Sequence, residues 1–105
     1  MKNTKQLNVK KTPTVTGGRP RVRNAAQHAL DMYYADYDPE QIVETMVEMT
    51  AKYEPGYQPS GELGDFNDRM KIIGDRASEA VSLIARVDSE AAKVLETSLG
   101  EFEGF

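Results

Sequence analysis

Phe66, Met70, Ile73, Ala77, Ala80, Ile84 and Val87 step along the chain by four, three, four, three, four and three residues. That alternation lays apolar side chains along one stripe of an α-helix. A strand, whose side chains alternate with a period of two, cannot satisfy it. Ile72 and Leu83 widen the stripe, and the small Ala77 and Ala80 permit close helix approach. Such a seam is either one face of an intramolecular helix pair or an oligomer interface. Its regularity in so short a chain favours self-association, which makes these seven residues the candidate oligomer interface. Asp68, Lys71, Asp75, Arg76, Glu79 and Arg86 fall on the flank and read as a solvated face. Gly74, inside the stripe, costs about 1 kcal/mol relative to alanine and calls for a packing reason.

The rest of the chain is also patterned for helix. Ala25, Ala26, Ala29, Leu30 and Tyr33 give helical spacing from about Arg23 to Tyr34. A second helix opens with Asp38 as N-cap, Pro39 at its first position and Gln41 at the third. Proline lacks the N–H that would be orphaned there, and the aspartate oxygen can accept another orphan amide. Ile42, Val43, Met46, Val47, Met49 and Tyr53 form its apolar face. Pro55, Gly56, Pro59, Ser60, Gly61 and Gly64 then predict a loop. Asp88 and Ser89 offer a cap for a last helix over 90–99, although the seam could also run straight on through Ala91 and Val94.

Charge divides the chain. The first 23 residues carry seven basic side chains (Lys2, Lys5, Lys10, Lys11, Arg19, Arg21 and Arg23) and no acidic one. Of the chain's 13 basic and 17 acidic residues, the remaining six and all 17 lie beyond, so a +7 arm is joined to a −11 body. Scattered Leu7, Val9 and Val15 with Pro13, Gly17 and Gly18 cannot bury enough surface to offset ordering entropy, so Met1 to Gly18 reads as an extended, disordered arm. The expected organisation is a basic arm over 1–22, an all-α domain of three to four helices over 23–99, and an acidic, aromatic tail over 100–105. The roughly 75 residues left for a core bury only about 60–65% of their unfolded surface, so the domain is marginal alone.

Catalysis is not expected. The chain has no cysteine, which excludes a thiol nucleophile, a disulfide and a thiolate zinc site. His28 is its one histidine and reads as structural. Asp36, Asp38 and Glu40 resemble the start of a calcium loop, but Gln41 stands where the loop needs glycine. No phosphate-binding glycine loop is present, and no metal or cofactor is expected. No apolar run approaches the roughly 20 residues that span a bilayer. The basic N-terminus has no apolar stretch behind it, so it is not read as a secretory signal.

Binding is the better expectation. Lys10, Lys11, Arg19, Arg21 and Arg23 are candidates for nucleic-acid phosphate contacts. Gly18-Arg19-Pro20-Arg21 resembles the core of an AT-hook, which lies extended in the minor groove. The plainer reading is a basic linker with a helix-start proline, and an acidic protein surface or the chain's own body competes as the target. The tail Gly100-Glu101-Phe102-Glu103-Gly104-Phe105 resembles the acidic, phenylalanine-ended tips with which single-stranded-DNA-binding proteins recruit partners, making Phe102 and Phe105 candidate docking residues. Tyr33, Tyr34 and Tyr37 beside the arm could stack on bases, but read first as helix-end packing.

The layout from about Gly18 to Arg86 resembles that of phage small terminase subunits. The shared features are the basic Gly18-Arg19-Pro20-Arg21 stretch, a capped helix containing Ile42-Val43-Glu44-Thr45-Met46-Val47-Glu48-Met49, and an amphipathic helix with Asp75-Arg76. The resemblance implies a ring-forming, DNA-binding adaptor that hands the genome to a motor subunit, located in the infected host cytoplasm or the virion. Two alternatives stand beside it. One is a virion structural or accessory protein whose arm orders on neighbouring subunits. The other is an acidic inhibitor of a host protein.

Overall fold

The computed structural model describes residues 12–53 and 63–102, with side-chain surroundings for 12–51 and 73–102. Four helices follow one another: α1 (Pro20–Tyr34), α2 (Pro39–Tyr53), α3 (Leu63–Ala85) and α4 (Ser89–Gly100). No strand occurs among the described residues. α1 packs on α2 and α3, α2 on α3 and α4, and α3 on α4. The 54–62 stretch that joins α2 to α3 lies outside the described residues.

The helix boundaries follow local chemistry. α1 starts at Pro20, three residues earlier than the apolar spacing indicated, with Arg19 as an extended N-cap. It ends in a Schellman-type turn: Tyr37 N–H donates to Met32 O and Asp36 N–H to Tyr33 O, both at 3.1 Å. Asp36 takes the left-handed position of that turn, at φ 67°. α2 begins at Pro39, as its sequence signal predicts. The α3–α4 junction is a break rather than a continuous helix. The Asp88 carboxylate accepts from Ala91 N–H at 3.0 Å and caps α4.

The core is rich in alanine. Ala25, Ala26 and Ala29 of α1 meet Ala77 and Ala80 of α3 and Ala91 and Ala92 of α4 in one buried cluster. Leu30, Ile42, Val43, Met46, Ile84 and Leu95 supply its bulk. Thr50 is buried too, its hydroxyl satisfied by donation to Val47 O at 2.9 Å. Thr50, rather than Val47 or Met49, continues the stripe of Ile42, Val43 and Met46, while those two are half-buried at its border.

Two expectations need correction. Ile73, Ala77, Ala80 and Ile84 are buried inside the chain itself, at 3%, 0%, 0% and 0% exposure, and Val87 packs at the cluster's edge. This part of the seam therefore cannot be an oligomer interface. Heptad spacing is met equally by neighbours from the same chain, and the flat alanine faces of α1 and α4 occupy that role. The side chains of Phe66 and Met70 lie outside the described residues. The second correction concerns the arm. Its last residues pack on the body: Val15 is 3% exposed within the core, its N–H donates to Gln27 Oε1 at 2.8 Å, and Gln27 Nε2 donates to Pro13 O at 3.2 Å. Gln27 thus supplies both a donor and an acceptor to an extended strand of chain, as a partner strand's peptide group would.

Candidate functional site

The described part of the basic arm meets the body at Gly17 and Gly18. Both adopt left-handed backbone, at φ 83° and 70°, which a side chain would strain. Space beside each is also tight. A Cβ on Gly17 would stand 2.9 Å from Arg86 Nη1, and one on Gly18 would stand 2.8 Å from Leu83 Cδ1. The turn therefore presses backbone against the C-terminal end of α3. Arg23 Nη1 donates to both glycine carbonyls, at 3.3 Å each.

This turn gathers arginines that are far apart in sequence. Arg19 Nε lies 3.8 Å from Glu79 Oε1, and Arg76 Nη1 lies 3.2 Å from Glu79 Oε2. Arg86 abuts Gly17, and Arg21 is exposed in the first turn of α1. Arg23 and Arg86 thus touch the Gly17–Gly18 turn, and Glu79 joins Arg19 beside it to Arg76. The Arg19–Glu79 contact is solvent-exposed, so it contributes little to stability and leaves the local charge positive. Arg76 and Arg86 had read as a solvated flank. Nothing in their own neighbourhood marks them as partners of residues some 60 positions earlier.

Among the candidate nucleic-acid contacts, Arg19 and Arg23 come together here and Arg21 is exposed on the adjoining first turn of α1, while Lys10 and Lys11 lie outside the described residues. The minor-groove reading of Gly18-Arg19-Pro20-Arg21 is overturned. Pro20 is the first residue of α1 and Arg21 is helical, so this tetrapeptide is not the extended ribbon such a groove admits. The plainer reading, a helix-start proline after a basic linker, describes the geometry.

The aromatic cluster is committed to packing. The Tyr33 and Tyr34 rings meet edge to face at 5.9 Å and 64°. Tyr34 Oη donates to Asp88 Oδ2 at 2.6 Å, joining the end of α1 to the cap of α4. That hydrogen bond, then burial and the nearby negative charge, pushes the Tyr34 phenol up to about 12. Burial first, then Glu90 and Asp88, also raises Tyr33. Tyr37, half exposed, stands apart at the surface.

A second surface opens between the start of α2 and the end of α4. Asp38, Pro39, Glu40, Val94, Thr97, Ser98 and Glu101 line a cleft of about 480 Å³. An adjoining hollow of about 370 Å³ shares Glu40, Ser98 and Glu101 and adds Glu44 and Phe102. Val94 and Phe102 are half-buried, and the four carboxylates are exposed. Among the described residues, no basic one lines either space. Phe102 is therefore not a projecting hook. Its N–H donates to Leu99 O at 3.1 Å, and its ring packs on the core as part of the cleft wall. Phe105 lies outside the described residues.

His28 is exposed on α1. Among the described residues no group of three or more His, Cys, Asp or Glu could hold a metal ion, and no helix is long and apolar enough to cross a membrane. Comparison with protein-family profiles, curated proteins and solved structures finds no match.

Proposed function

We propose that this protein is a non-enzymatic helical adaptor that binds nucleic-acid backbone through its basic arm and the arginine patch around the Gly17–Gly18 turn. The observation that carries the reading is the convergence of Arg76 of α3 and Arg86, just past its end, on the turn that holds Arg19 and Arg23. A fold that merely neutralised its arm would bring carboxylates to it. This one brings two further guanidiniums with one carboxylate between. Phosphate contacts of this kind position a protein without reading sequence. The setting drawn from the small-terminase resemblance is a genome-packaging or nucleoprotein assembly in an infected cell or virion. With much of the seam internal, self-assembly there would use another surface, and a motor or capsid subunit would be the protein partner.

The test is fluorescence anisotropy of a labelled duplex titrated with protein over a series of salt concentrations. If all five arginines meet phosphates, log K falls against log salt with a slope of about −4.5, or roughly −0.9 per contact. Arg21→Gln and Arg86→Gln should each flatten that slope by about 0.9 while lowering affinity uniformly across sequences. A salt-independent isotherm, or a slope indifferent to both substitutions, would remove the nucleic-acid reading.

The acidic cleft favours a second reading, in which the −11 body engages a basic protein surface as an inhibitor does. A stoichiometric complex with one basic protein, lost in Glu40→Gln/Glu44→Gln and kept in Arg21→Gln/Arg86→Gln, would select it over the first.

A further inference from the structure

We propose that the acidic cleft between α2 and α4 holds the chain's own first eleven residues, folded back within the same molecule. Four exposed carboxylates, of Asp38, Glu40, Glu44 and Glu101, rim a floor made by Val94 and Phe102. The segment 1–11 carries Lys2, Lys5, Lys10 and Lys11, no acid, and two apolar residues near its middle, Leu7 and Val9. In an extended chain residues two apart share a side, so Leu7 and Val9 can lie together on the floor. The lysines before and after them then reach the rim, keeping their ammonium heads in water while their stems cover apolar surface.

The tether permits this. The described chain starts at Thr12, and the two hydrogen bonds from Gln27 fix its path on α1 from Pro13 onward. Eleven residues reach about 36–40 Å when extended, which exceeds the molecule's 26 and 22 Å extents and falls short of its 49 Å one, so the segment can reach the surface within that distance of Thr12. A short tether that can span its sites gives an effective concentration in the millimolar range. That exceeds any ordinary concentration of a second copy, so the same molecule is the occupant. The inference deepens the nucleic-acid reading and rests on it for its consequence: lysines seated in the cleft are not available to phosphates, so duplex and cleft compete for one segment.

The chain has no cysteine, so Asn3→Cys gives a unique attachment point for a nitroxide on the full-length protein. Amide signals of Glu40, Val94, Thr97, Ser98 and Glu101 should be lost to paramagnetic broadening. They should return in Glu40→Gln/Glu44→Gln/Glu101→Gln, and at about 1 M salt, where the Debye length is about 3 Å. An equal mixture of isotope-labelled protein and nitroxide-bearing unlabelled protein should show no loss. Broadening in that mixture would overturn the intramolecular proposal in favour of exchange between copies. Uniform broadening, or none at the cleft, would overturn it outright. No nucleic acid is present, so these outcomes do not depend on the duplex titration. Adding duplex should restore the cleft signals if both readings hold.

Discussion

Replacing Asp88 by alanine removes two contacts with one substitution. One carboxylate oxygen caps α4 through Ala91 N–H, and the other accepts the Tyr34 hydroxyl from the far end of α1. A lost aspartate cap costs about 1 kcal/mol. A hydrogen bond to a charged group is worth about 1.5–3 kcal/mol, which for this half-exposed pair falls to about 1 once solvent competes. Asp88→Ala should therefore cost about 2 kcal/mol, or roughly 8–16 °C in Tm for a domain of this size. Tyr34→Phe should cost about 1 kcal/mol, and the double variant about 2, leaving a coupling energy of about 1. Urea melts followed by circular dichroism measure all three. Alkaline pH supplies an independent check. The Tyr34 phenol titrates near 12 in the folded chain against 10.0 ordinarily, so folding favours the neutral form. Its contribution is fully present below pH 10 and is lost as pH rises through about 12, and Tyr34→Phe should lose that part of the alkaline decline. If the double variant loses the sum of the two single losses, Asp88 and Tyr34 are not coupled and the junction is held by α4 capping alone.

Asp36 sits left-handed at the end of α1, with its charge against the negative helix end. Asp36→Gly should raise stability by about 1 kcal/mol, read as a higher urea midpoint. Gly100, the last helical residue of α4, has open space where a Cβ would stand. Gly100→Ala should therefore stabilise by roughly 0.5 kcal/mol in the same melts. Val15→Ala removes two buried methyl equivalents and should cost about 2 kcal/mol. A loss below roughly 0.5 kcal/mol would show that the last residues of the arm are not part of the folding unit.

What was legible in the sequence was local. The Ile73–Ile84 part of the α3 stripe, the Pro39 start of α2 and the Asp88 cap are each written in residues within a few turns of one another, and each forms as its spacing predicts. What was not legible was which face meets which. Ala25, Ala26, Ala29, Ala91 and Ala92 look like mere helix formers, yet their flatness lets α1 and α4 cover the seam that had suggested an oligomer. Val15 looked stranded among polar residues. Its place in the core depends on Gln27, whose amide pairs with backbone 12 and 14 residues away, and no periodicity encodes such a contact. The arginine patch was hidden for the same reason. Arg76 and Arg86 become neighbours of the arm only after the Gly17–Gly18 turn is set against Leu83.

The alanine core links stability to the charged surfaces. Alanine faces let helices approach closely but bury little apolar area per residue, and area is what drives burial. A small bundle with seven buried alanines in its core gains from every peripheral attachment: the Val15 anchor, the Gln27 pairing and the Asp88 node. Two of these tie the arm to α1 beside the arginine patch. Any partner that pulled Thr12–Gly18 off the body would expose Val15 and break both Gln27 bonds, at a cost of several kcal/mol against a total of about 5–15. Binding at the patch is therefore expected to leave this stretch in place and to draw only on the residues before it. The Gly17–Gly18 turn then acts as a fixed anchor, and under the two proposals the lysines of 1–11 are what the acidic cleft and a phosphate backbone would compete for. That division fits a chain whose seven basic residues fall into two sets: three arginines placed by the fold and four lysines placed before it.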